Sequence, residues 1–157
     1  MTFSLTSTAR GAVAAALLLL LTPLASAQPL RIESGWVSAL PPAQRMTAAY
    51  MTLHNSGDAV LQLLSVSSES ADHASIHATQ RDGDRVRMEA AGAITLQPGE
   101  RVGLEPGGLH IMLMGLARMP AAGETFPLCL QTSAGELCEA LPVLREAPSA
   151  APTGGEQ

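Results

Sequence analysis

The chain has 157 residues, a formal net charge of −5 and 15% charged side chains. This length suits one domain with a real hydrophobic core. The acidic balance argues against a nucleic-acid partner.

The N-terminal segment has the pattern of a secretory signal peptide. Arg10 supplies a positive charge, residues 11–21 form an apolar run, and Ala25-Ser26-Ala27 resembles a small-residue cleavage site. We expect residues 1–27 to be removed and the mature protein to be periplasmic. The apolar run is short for a membrane span and no second one follows, so we expect no stable membrane insertion after cleavage. No cysteine follows the cleavage site, so we expect no lipid anchor there.

Residues 28–145 are a series of short apolar stretches separated by turn residues, with no sustained helical period. Turn chemistry is clear at Asn55-Ser56-Gly57-Asp58, Asp82-Gly83 and Pro106-Gly107-Gly108. The candidate strands are 30–37, 47–54, 59–66, 74–79, 85–89, 93–96, 102–104, 109–114, 127–131 and 136–143. Short strands at near-regular spacing predict an antiparallel β-sandwich. The tail, 146–157, is rich in Ala, Pro and Gly, and we expect it to be disordered.

The hairpin predicted around Asp82-Gly83 carries the first histidine and methionine pair. This dipeptide favours a two-residue loop, and counting outward from it pairs His77 with Met88. Paired residues on one face have Cβ atoms about 4.5 to 5.5 Å apart, which is close enough for both side chains to bind one ion.

The strand 109–114 carries the second pair. Side chains alternate between the two faces of a strand, so His110, Met112 and Met114 share one face and the leucines and isoleucine share the other. If the hairpin packs beside this strand, the two pairs form a site with two nitrogen and two sulfur ligands.

The ligand types select the metal. Thioether sulfur is soft and favours Cu(I), whereas zinc sites use thiolate, imidazole or carboxylate. Imidazole must lose its proton to bind, so we expect copper affinity to fall below about pH 6.5. Met114 also faces the site, where a role in copper entry or release and a packing role both remain open.

The spacing His77-x10-Met88-x21-His110-x-Met112 resembles the motif of periplasmic copper chaperones of the PCuAC type. Gly35-Trp36-Val37, Asn55-Ser56-Gly57-Asp58 and the run 110–116 are also similar to that family, so the resemblance covers about residues 30–144. It implies a cupredoxin-like Greek-key β-sandwich or barrel that holds Cu(I) at His77, Met88, His110 and Met112. It further implies delivery to the CuA-bearing subunit of cytochrome c oxidase, alone or with another copper chaperone. We expect a monomer.

The two cysteines, Cys129 and Cys138, flank a turn at Ser133-Ala134-Gly135. They are about equidistant from its middle, so we expect a disulfide across a hairpin. A reduced pair with a redox or metal role is the alternative. Three other functions stay open: copper storage or buffering, thiol-disulfide exchange on oxidase cysteines, and blue-copper electron transfer. We expect a metal carrier and not an enzyme.

Overall fold

The computed structural model describes residues 28–148. The predicted signal peptide and residues 149–157 lie outside the described part, so the predictions made for them stay predictions. Within the described residues, no helix is long and apolar enough to cross a membrane.

The described residues form strands, turns and loops, as the sequence pattern predicts. The strands are β1 (Leu30–Ser38), β2 (Met46–Asn55), β3 (Leu61–Ser67), β4 (His73–Asp82), β5 (Arg85–Ala90), β6 (Ile94–Leu96), β7 (Arg101–Leu104), β8 (Leu109–Met114), β9 (Thr125–Thr132) and β10 (Gly135–Leu144). Each coincides with one predicted strand, with ends that differ by a few residues.

The strands follow the order β5-β4-β8-β2-β1-β10-β9-β3-β6, and β7 also pairs with β2. β1 and β10 run parallel, and all the other pairs are antiparallel. β8 therefore lies between β4 and β2, three strands from β10. This order places the histidine and methionine strands in one half of the sheet and the cysteine strands in the other.

The core lies between the two halves of the sheet, because both halves contribute side chains to one buried cluster. In β8 the alternation is as predicted, with Ile111 and Leu113 fully buried in this cluster. Their burial leaves the opposite face of β8 to His110, Met112 and Met114. Full burial of a leucine or isoleucine side chain is worth about 1.5 to 3 kcal/mol, so the core fixes which face of β8 points outward.

Candidate metal site

His77 and His110 lie directly opposite each other on β4 and β8. Their ring centroids are 6.1 Å apart, with the planes tilted by 32°. The two imidazoles therefore form a neighbouring pair on the outer face of the sheet, as the two-nitrogen site requires.

His110 is held in a single orientation. It is 5% exposed, and its Nδ1 lies 3.0 Å from the carbonyl oxygen of Gly108. A carbonyl oxygen can only accept a hydrogen bond, so Nδ1 carries the proton and Nε2 keeps its lone pair. A backbone carbonyl in this role is the usual way to fix the tautomer of a metal-binding histidine.

His77 is half-buried and has one nitrogen without a partner. Its Nε2 lies 2.9 Å from the hydroxyl oxygen of Ser75, whereas its buried Nδ1 has no hydrogen-bond partner within the described part of the chain. An unsatisfied buried polar atom costs about 1 to 3 kcal/mol. A metal ion at Nδ1 would satisfy this atom without breaking the bond to Ser75, so the residues fit a bound metal.

Met88 is not placed as the sequence predicts. The hairpin closes at Asp82 and Arg85 with Gly83-Asp84 as its loop, so His77 pairs with Ala90 and Met88 pairs with Thr79. The predicted pairing of His77 with Met88 was wrong by two residues.

Turn geometry explains this shift. A loop at Asp82-Gly83 of the type I′ kind needs positive φ at both residues, and a type II′ turn needs glycine at the first position. Gly83 has φ +60°, while Asp82 and Asp84 keep ordinary negative φ. The observed loop thus places the glycine first, as type II′ requires.

The shift of two residues keeps Met88 on the same face as His77, because side chains repeat every second residue. Met88 lies opposite Thr79, two residues after His77 on β4. Met112 lies opposite Ser75, two residues before His77 on the same strand. Met88 and Met112 are thus each a diagonal neighbour of His77, about 7 to 8 Å away, which long side chains can span.

Exposure differs greatly between these side chains. His110 is almost fully buried, His77 and Met112 are half-buried, and Met88 is 59% exposed. The candidate site therefore has a fixed side at β8, formed by His110 and Met112, and an open side at β5, formed by the exposed Met88.

Tyr50 is an aromatic neighbour of this site that the sequence pattern does not reveal. Tyr50 lies beside His110, with ring centroids 6.4 Å apart, and Trp36 packs on the other side of Tyr50 at 4.8 Å. Burial raises the pKa of the Tyr50 phenol. The rings of Trp36, Tyr50, His110 and His77 form a row because β1, β2, β8 and β4 are successive strands of the sheet. No local sequence signal shows which distant segments become neighbours.

A second omission concerns Met46. The sequence favours a core or loop position for this residue, but it lies at the start of β2, directly opposite Met114, and is 48% exposed. The alternation of β2 could have placed it on the outer face, but not beside β8.

The cysteines form a disulfide, as expected. Cys129 and Cys138 are direct partners on β9 and β10, with Cα atoms 4.0 Å apart. β1 and β2 separate β10 from β8 in the sheet. The disulfide therefore lies in the other half of the sheet from His77 and His110.

Solved structures with the same architecture carry the PCuAC name or bind copper. The copper-bound PCuAC domain from PmoF2 is 26% identical, with a TM-score of 0.64, and the match covers 76% of this chain and 95% of that domain. The solution structure of CuI-DR1885 from Deinococcus radiodurans is 32% identical, with a TM-score of 0.62 and coverage of 78% and 83%. The chain has the cupredoxin-like, all-β fold of PCuAC domains, which confirms the fold class and the resemblance.

The family follows from the sequence comparison. A family model described as "Putative lipoprotein LpqE-like" matches residues 30–143. "Putative lipoprotein Lxx21020" from Leifsonia xyli subsp. xyli (strain CTCB07) is 31% identical over 115 residues, which are 73% of this chain and 68% of that protein. The chain belongs to the LpqE-like family.

Proposed function

We propose that this protein is a periplasmic copper chaperone that holds Cu(I) through His77, Met88, His110 and Met112. The observation that carries the proposal is the pair of histidines on a face that also bears methionines. One buried imidazole nitrogen of this pair has no hydrogen-bond partner among residues 28–148. The copper-bound structures of related domains support the metal.

The donor set favours Cu(I) over other metals. Two thioethers and two neutral imidazoles are soft and borderline ligands, and thioethers do not suit zinc. No ligand is a thiol, so disulfide formation in an oxidising compartment does not consume the site. The relatives described as lipoproteins agree with an exported protein.

The gradient of exposure suits a carrier. His110 and Met112, on β8, hold the ion from the fixed side, while the exposed Met88 can leave it and admit a ligand from an acceptor. Ligand exchange of this kind changes neither the charge nor the oxidation state of Cu(I). The expected monomer presents this open side directly to its partner.

For the acceptor, we propose the CuA centre of cytochrome c oxidase, reached directly or through another copper chaperone. This step rests on the resemblance of the His-x10-Met-x21-His-x-Met motif. A storage or buffering protein would use the same ligands, so only transfer separates the two functions.

Copper transfer tests the proposal. The protein is loaded with one equivalent of Cu(I), mixed without oxygen with a soluble apo CuA domain, and separated for metal analysis. We expect most of the copper on the CuA domain. The variant His110→Ala should retain little copper after desalting and transfer little.

Two results would contradict the proposal. Retention of copper by the loaded protein would identify a storage protein. A parent chain that binds no copper would remove the metal function altogether.

Two other functions have less support from the geometry. A blue-copper centre needs a cysteine thiolate beside the histidines, but Cys129 and Cys138 are oxidised and lie in the other half of the sheet. Thiol-disulfide enzymes lower a thiol pKa at a helix N-terminus, whereas both of these cysteines lie on strands. We propose that the disulfide is structural and that the protein is not an enzyme.

A further inference from the structure

A second group of soft ligands lies on the outer face next to the candidate site. Met46 on β2 and His73 on β4 are both direct partners of Met114 on β8. Met114 therefore has a thioether on one side and an imidazole on the other, each at the short Cβ separation of a cross-strand pair. We call these three residues the flanking triad.

The flanking triad is open to solvent. Met46 is 48% exposed, His73 is exposed and Met114 is half-buried. By contrast, Met51 and Met119 are 3% and 8% exposed and fill the core, which is the usual role of methionine. The flanking triad thus lacks the packing role that explains the core methionines.

We propose that the flanking triad is a second, weaker Cu(I) site through which copper enters and leaves the main site. The proposal rests on the proposed function. One imidazole and two thioethers are a suitable set for Cu(I). The flanking triad has no buried histidine comparable to His110, which is 5% exposed, so it should bind Cu(I) more weakly and exchange it faster than the main site.

The register supplies a path between the two sites. Met112 lies two residues before Met114 on β8, and His77 lies four residues after His73 on the antiparallel β4, all on one face. Ser75 separates the two histidines, and its hydroxyl contacts His77 Nε2. A Cu(I) ion could replace Met114 by Met112 and His73 by His77 without leaving the face, and no electron is transferred.

A carboxylate lies at the outer end of the path. The side chain of Asp72 occupies the space where a Cβ on Gly115 would stand, and Gly115 has φ +70°. Any larger residue at 115 would be strained and would clash with Asp72. The negative charge of Asp72, one residue from His73, favours approach of a cation to the flanking triad.

Methionine methyl NMR tests the proposal on the full chain. Protein with 13C-labelled methionine methyl groups is titrated without oxygen with Cu(I) to two equivalents. We expect the first equivalent to shift Met88 and Met112, and the second to shift Met46 and Met114. Met51 and Met119 serve as internal controls and should not move.

Two variants test whether the second equivalent of Cu(I) binds at the flanking triad. Met114→Leu should abolish the second binding event, and it should slow removal of the first ion by a chelator at least tenfold. The matched control, Met119→Leu, changes a methionine that lies away from the face and should bind both ions.

The outcomes separate the two proposals. One bound equivalent, with Met46 and Met114 unmoved, would overturn the flanking triad and leave the proposed function standing. Movement of Met114 together with Met112 in the first equivalent would also overturn it, because Met114 would then be a ligand of the main site. If no methionine moves at any ratio, the proposed function itself fails.

Discussion

Each imidazole of the candidate site is prepared differently for a metal. His110 has a fixed tautomer through Gly108, so its Nε2 is free without rearrangement. His77 has a buried Nδ1 with no hydrogen-bond partner in the part of the chain that the structure describes. Ordering the His110 ring on binding costs little conformational entropy, because it is already held, and His77 Nδ1 gains a partner. Both features favour the metal-bound state over the metal-free state.

Tyr50 supplies a direct check on the buried side of the site. It is the only tyrosine in the chain, so the ultraviolet absorbance of its phenolate reports one group. Burial raises its pKa above the ordinary value of about 10, so we expect an absorbance midpoint above pH 10. A midpoint at or below 10 would contradict the burial of Tyr50 beside His110.

The same shift has a consequence for stability. Because the folded state keeps the phenol proton more tightly than the unfolded state, this contribution is fully present below about pH 10 and is lost as pH rises through the folded pKa. Tyr50→Phe should therefore flatten the alkaline limb of the unfolding free energy measured in urea.

At this scale the sequence predicted four candidate ligands from alternation along one strand and from one hairpin, but the hairpin count paired His77 with Met88, which in fact lies opposite Thr79. It did not identify Tyr50, Ser75 or Met46 as neighbours. Their positions depend on which strands become adjacent, and that is decided by burial of the whole core.

The hairpin of β4 and β5 is the least buried element near the site. All six residues of β5 are exposed, and β5 is an edge strand. Little apolar burial holds it, so the turn and the β4 hydrogen bonds contribute most of its order.

Gly83→Ala should loosen this hairpin. A non-glycine residue in the left-handed region costs about 1 to 2 kcal/mol, so we expect amide exchange in β5 to accelerate about 5- to 30-fold, with β8 unchanged. Hydrogen exchange followed by NMR measures this. Saturating Cu(I) should slow exchange in β5 again, because Met88 would tie the strand to the ion.

Gly92→Ala is the matched control, since Gly92 has no neighbouring atom within 4 Å and no positive φ. Equal acceleration in both variants, or no effect of Cu(I) on β5, would contradict this account of Met88.

The elements themselves could be predicted well and their register less so. Alternation and turn residues located every strand, but the hairpin loop was misplaced because Asp82-Gly83-Asp84 allows two loops. The sign of φ at Asp82 decides between the loop Asp82-Gly83 and the loop Gly83-Asp84. The sequence pattern does not indicate this sign.

In the whole molecule, metal and disulfide chemistry occupy different halves of the sheet. β1 and β2 separate the cysteine hairpin from β8, and the fixed core lies between the halves. We therefore expect stability and copper binding to respond independently to changes in the hairpin of β9 and β10.

Replacing both cysteines by serine tests this independence. A loop of this size gives an expected loss of about 2 to 3 kcal/mol in the free energy of unfolding, measured with urea. Cu(I) affinity should stay within about twofold of the parent. A tenfold loss of affinity in a variant that remains folded would mean that the disulfide takes part in copper binding.

The overall arrangement was only partly accessible from sequence. The all-β class follows from strand spacing, and the cupredoxin-like fold followed from the family resemblance. The parallel pairing of β1 with β10 joins residues more than a hundred positions apart. No local pattern specifies such a contact, because its stability comes from closing the core.

The central claim is that two histidines and two methionines bind one Cu(I) ion. Competition with a chromophoric Cu(I) chelator, for the parent, His110→Ala and Met112→Ala, tests it most directly. We expect each variant to lose at least about tenfold in affinity, while the controls His54→Gln and Met119→Leu match the parent. Unchanged affinity in both site variants would contradict the claim.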